Sequence, residues 1–145
     1  MENVEGIGGV FLAARDPDRL TAWYADHLGV PAPPTSYGGA VWTPAGGPTV
    51  FAVMPSGADP FGGAEHTWSL NFRVRDLDAM VAQLRQAGID VAVDPDTYPN
   101  GRFAALADPE GNPLQLWQLE GGHLLLLHEP DACAAALVGL RGRLG

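Results

Sequence analysis

The sequence predicts an α+β protein built from two copies of one strand, helix, three-strand (βαβββ) unit, followed by a helical tail. Two repeated motifs and a repeated change of apolar period carry that expectation. FLAARDPDRL from Phe11 aligns with NFRVRDLDAM from Asn71, placing Arg15-Asp16 on Arg75-Asp76 at a spacing of sixty residues. PAGGPTVFAV from Pro44 aligns with PEGNPLQLWQ from Pro109, matching Pro, Gly and Pro at a spacing of sixty-five. Two matches in one order, with extra loop in the second copy, are the mark of a duplicated supersecondary unit.

Each element follows from local chemistry. Val10, Leu12 and Ala14 alternate with Gly9, Phe11 and Ala13, the period of a strand. Asp16 offers a carboxylate to the free amides of a helix start and Pro17 suits the first helical position. Leu20, Trp23, Tyr24 and Leu28 then share one helical face, and Gly29 ends the helix. Strands are expected at 30–35, 40–43 and 49–54, with PAGG as the turn before the last. In the second copy Leu70, Phe72 and Val74 share a strand face and Asp76 caps a helix through Met80, Val81 and Leu84 that stops near Gly88. Strands follow at 90–93, 103–107 and 114–119, with DPEGN as the last turn. The units occupy 7–55 and 66–120 of a single domain spanning 1–120, joined by a Gly- and Pro-rich linker at 56–65. A tail at 121–145 holds the apolar run 124–127 and a helix opening at Glu129-Pro130-Asp131. Four consecutive leucines need cover, from the domain or from a second subunit.

Composition narrows the class. The chain has 145 residues, 46% hydrophobic and 17% charged, a balance that favours a folded core over disorder. No apolar run reaches the ~20 residues of a membrane helix. The start MENVEGIGG has neither a basic end nor an apolar signal core, so a cytoplasmic protein is expected. Seventeen acidic residues against eight Arg and no Lys give a net charge of −9, which disfavours nucleic acid and anionic membranes as partners. Cys133 is the sole cysteine and reads as a small buried apolar residue.

The two-unit pattern, with RDPDRL, RDLDAM and above all DPEGNPLQLWQ, resembles the vicinal oxygen chelate superfamily of glyoxalases, bleomycin-resistance proteins and extradiol dioxygenases, over residues 7–120. The resemblance implies paired modules curled into a cup-shaped mixed sheet, a metal held inside it, and a homodimer. Carried onto this sequence, the family's metal positions fall on Gly9, Val50, Ser69 and Gln115. Glycine and valine side chains cannot ligate and serine is a poor neutral ligand, which leaves Gln115 alone. No cofactor is therefore expected. His27, His66, His123 and His128 show no paired metal spacing and read as surface or capping residues.

Strand parity selects what would line the cup. If Leu70, Phe72 and Val74 pack under the helices, then Ser69, Asn71 and Arg73 point the other way, joined by Gln115, Trp117 and Phe11. Val50, Ala52 and Met54 add apolar wall. An apolar pocket with a few polar groups is the composition of a small-molecule site. The expected function is binding of a small molecule without a metal, as in drug sequestration. The alternative is a lyase, isomerase or dioxygenase-like enzyme of the same superfamily with a degenerate or non-canonical metal site, although no general base is expected to face the cup. Catalytic residues are not identifiable from the sequence.

Overall fold

A computed structural model describes residues 1–63 and 65–120. The chain folds as α+β, with helix α1 (Pro17–Leu28), strand β1 (Leu70–Arg73), helix α2 (Leu77–Gln86), and strands β2 (Ala92–Val93), β3 (Arg102–Ala107) and β4 (Pro113–Gln118). The strands form one mixed sheet in the order β1-β4-β3-β2, with β1 parallel to β4 and the other pairs antiparallel. The second unit thus runs strand, helix, three strands.

Both helices begin on the residues that the cap chemistry selects. Asp16 accepts from the Arg19 N–H at 3.1 Å and Asp76 from the Ala79 N–H at 3.0 Å, each satisfying an amide that the first helical turn leaves free. Gly29 ends α1 in the left-handed region at φ 71°, where a side chain would be strained. The Leu77 N–H at the start of α2 donates to Gln118 Oε1 at 2.6 Å, so that helix is tied to β4 as well as to its own cap.

Leu20 and Tyr24 of α1 and Leu77, Val81 and Leu84 of α2 pack with Ala104, Leu106, Leu114 and Leu116 into one buried core. Leu70, Phe72 and Val74 border it. Burial of each such leucine stabilises the fold by about 1.5–3 kcal/mol. Both helices therefore cover the same face of the sheet.

The first unit departs from expectation. Of its predicted elements only the helix forms, and the described residues hold four strands rather than eight. The alternation survives in part, since Leu12 and Ala14 pack against the core while Phe11 points outward. The ladder does not. Prolines at 31, 33, 34, 44 and 48 lack the N–H a ladder needs, and Gly8, Gly9, Gly46 and Gly47 weaken the extended state around them. Phe51 and Val53 accordingly lie exposed. The linker holds one 3-10 turn, Asp59–Phe61, rather than plain loop. The tail, with Cys133, His123, His128 and the leucine run, lies outside the described residues.

Candidate functional site

Register decides which side chains meet on the sheet face turned away from the helices. Asn71 pairs with Gln115 and Arg73 with Trp117 across β1 and β4, and Gln115 and Trp117 pair with Ala105 and Phe103 across β4 and β3. Side chains at paired positions lie on the same side of a sheet. Since Leu70, Phe72, Leu114 and Leu116 belong to the helix-side core, these six residues occupy the opposite face.

The groups on that face are bonded to one another and to the chain. Asn71 Nδ2 donates to Gln115 Oε1 at 3.3 Å, and the Ser69 hydroxyl donates to the Pro113 carbonyl at 3.2 Å. Gln115 is only 3% exposed, whereas Asn71 faces solvent. Arg73 Nη2 donates to the Ala45 carbonyl at 2.8 Å and Nη1 to the Pro48 carbonyl, drawing the PAGGP turn of the first unit onto β1. Gly47 permits that approach, because a Cβ there would stand 2.8 Å from Arg73 Nε.

Trp117 is buried to 2% exposure. Its ring stacks on Phe103 with centroids 6.0 Å apart, and its indole N–H donates to the Asn100 carbonyl at 2.9 Å. Tyr98 and Leu119 complete this second cluster. Phe11 stands apart, 96% exposed. Ser69, Asn71, Arg73, Gln115 and Trp117 are thus gathered at one face and edge, and Phe11 is not.

Metal chemistry finds poor donors at the four positions carried over from the family. Gly9 and Val50 offer no side-chain donor, the Ser69 hydroxyl is engaged with a carbonyl, and the Gln115 carbonyl accepts from Asn71. Among the described residues no group of three or more His, Cys, Asp or Glu could hold an ion. The residues present do not fit the family's divalent metal.

Two cavities lie elsewhere. One of about 480 Å³ is lined by Arg85, Ile89, Asp90, Val91, Ala92 and Ala105, and so reaches the register partner of Gln115. The other, of about 300 Å³, sits between the start of α1 and the DPEGN turn.

That turn makes contacts its local pattern does not announce. Asp108 is buried and accepts four hydrogen bonds, from the Glu110 and Asn112 N–H groups, from Asn112 Nδ2 and from the Tyr24 hydroxyl. Burial first, and the Asp108 carboxylate second, push the Tyr24 phenol well above its ordinary range. Glu110 accepts the Arg15 N–H at 2.7 Å and the Asp16 N–H at 3.0 Å, and these bonds hold its carboxyl below the usual value. In a capping box the third helical residue satisfies the cap N–H. Here that residue is Arg19, which cannot accept, and Glu110 supplies the oxygen from the other unit.

Residues 6–116 match the family model described as the Glyoxalase/Bleomycin resistance protein/Dioxygenase superfamily, and the chain belongs to that superfamily. Its fold is similar to that of TnmS3, an antibiotic binding protein from Streptomyces sp. CB03234, at 22% identity and TM-score 0.54 over 83% of this chain and 100% of that one. It is likewise similar to lactoylglutathione lyase from Agrobacterium tumefaciens, at 20% identity and TM-score 0.51 over 81% and 96%. Against a glyoxalase family protein from Bacillus anthracis the match spans 37% of this chain and 43% of the other, with 24% identity and TM-score 0.34. No curated protein matches the chain.

Proposed function

We propose that this chain binds a small molecule on the helix-free face of its sheet without a metal, with drug sequestration as its role. The observation that carries the reading is the registered pair Asn71 and Gln115 with Arg73 beside it, polar groups gathered on the same sheet face as the aromatic Phe103 and Trp117, which is the mixed composition of a small-molecule site. Ser69 adds a hydroxyl at the edge. Membership of a superfamily that includes resistance proteins supports sequestration. The donor set supports metal independence, because one neutral amide oxygen does not replace the water shell of a divalent ion.

An enzymatic reading has less support. The buried carboxylates are committed to structure, Asp94 accepting from the Tyr98 hydroxyl and the Asp96 N–H, and Asp108 accepting its four bonds. Asp94, opposite Phe103 just past β2, is buried and held by the Tyr98 hydroxyl, and Asp108 lies in the turn between β3 and β4, so neither stands open to a ligand as a general base. A homodimer of paired modules belongs to the same proposal. Phe11, Phe51 and Val53 are exposed and apolar, and a second subunit would cover them.

The test is metal analysis of protein purified without chelator, followed by calorimetric titration with a panel of antibiotics. The expected result is no stoichiometric metal and saturable binding that weakens in Gln115→Leu. Stoichiometric zinc, nickel, manganese or iron surviving dialysis would overturn metal independence. Binding indifferent to Gln115→Leu would overturn the assignment of the face.

A further inference from the structure

We infer that the bound molecule carries an anionic group, which Arg73 takes up in exchange for the carbonyl groups of the 44–48 turn. The inference rests on the helix-free face being the ligand surface, and adds the charge of the ligand and what it displaces. Arg73 is half-buried, yet it forms no ion pair with any described carboxylate, unlike Arg15 and Arg102. Its known acceptors are the two neutral carbonyls of Ala45 and Pro48. A partly desolvated guanidinium satisfied by neutral dipoles keeps its full charge, so a carboxylate, sulfonate or phosphate presenting two oxygens to the planar fork binds it more strongly than the carbonyls do. Recognition has to be local, because the net charge of −9 repels anions at a distance.

The turn is suited to yield. It contains Gly46 and Gly47, belongs to no strand or helix, and reaches β1 through these Arg73 bonds. Gly47 lies so close to the guanidinium that an anion arriving at Nε and Nη must move the turn. In the ligand-free protein the turn thus holds the arginine in place, and the ligand inherits a positioned donor pair.

A matched pair of probes tests this: 8-anilinonaphthalene-1-sulfonate, aromatic and anionic, and N-phenyl-1-naphthylamine, its uncharged counterpart. The full chain should bind the sulfonate more tightly, and Arg73→Met should remove that preference with a loss of about ten- to a hundredfold in sulfonate affinity. Arg73→Lys, which keeps the charge but not the fork, should fall between, and Arg75→Met on the exposed neighbour should change nothing. Circular dichroism confirms that each variant is folded. In nitrogen-resolved NMR, the Gly46 and Gly47 amides and the Arg73 Nε–H should shift with the sulfonate and stay in place with the amine. Equal affinity for both probes, or a preference that survives both substitutions at Arg73, overturns the anionic assignment and leaves the binding surface standing. Unmoved Gly46 and Gly47 signals at saturation overturn the exchange. If the chain binds neither probe, the surface itself is misassigned and the inference falls with it.

Discussion

The Tyr24 hydroxyl donates to Asp108 Oδ2 at 2.7 Å across 84 residues of sequence, joining the first unit's helix to the second unit's last turn. The bond is buried, and its acceptor is also the centre of the DPEGN turn. Tyr24→Phe keeps the ring and leaves the carboxylate short of one partner. The expected cost is about 1.5–3 kcal/mol, read as a lower urea midpoint at unchanged slope.

The same bond sets an alkaline limit. Tyr24 is held neutral, its folded pKa raised above the ordinary 10.0. Its contribution is complete below that value and is lost as pH climbs through the folded pKa. A tyrosinate absorbance titration should therefore show the Tyr24 phenol appearing only together with loss of the helical circular dichroism signal. In Tyr24→Phe that late step should vanish.

Glu110 has the opposite sign. Its folded pKa lies below the ordinary 4.5, so its stabilising effect is complete above that pH and fades as pH falls through the folded value. Glu110→Gln should lower stability at pH 7, and the gap from the parent protein should close in acid. Urea titrations at pH 7 and at successive values below 4.5 check this. A gap independent of pH would assign the effect to shape instead of charge.

What could be read from the sequence, and what could not, separates along local and distant chemistry. Asp16 and Asp76 were legible as caps because their acceptors serve amides three residues away. The two faces of β1 and β4 were legible because strand parity needs no partner to be known. Glu110 and Asp108 were hidden. DPEGN is fully accounted for as a turn, and nothing in it names Arg15, Asp16 or Tyr24 as donors. The 49–54 run misled for a related reason: alternating apolar residues announce a strand, but the ladder depends on N–H groups and partners that the Pro- and Gly-rich neighbours do not supply. Trp117 was legible as a cup-facing residue from its parity, and parity is silent about Phe103 lying against the ring.

The leucine run at 124–127 predicts a role for the tail in pairing subunits. A chain ending at Glu120 should scatter light as a monomer where the intact chain scatters as a dimer, and it should melt at a lower temperature. A monomeric state for both chains with equal melting temperatures would remove the tail from both pairing and core cover.

Gly101 is the position where one methyl group should cost most. It follows Asn100, pairs with Tyr98 in an isolated bridge, and has φ 133°, a conformation L side chains rarely adopt. A Cβ there would stand 2.1 Å from the Gln118 carbonyl oxygen and 3.0 Å from Trp117 Nε1. The carbonyl belongs to β4 backbone and cannot swing aside as a side-chain end could. To admit alanine, the turn before β3 must withdraw, and the Asn100 carbonyl that accepts from the Trp117 indole must withdraw with it. The indole N–H would then be buried without a partner, adding a desolvation penalty to the strain. Gly101→Ala should therefore destabilise the fold by about 3 kcal/mol or more and also flatten the near-ultraviolet circular dichroism of the stacked Trp117 and Phe103. Gly111→Ala is the matched comparison: its φ of 84° is also left-handed, but an added Cβ meets nothing within 4 Å. It should pay only the backbone strain and keep the aromatic signal. Equal losses in the two variants would show that conformation alone, and not the approach of β4 and the indole, requires glycine at 101.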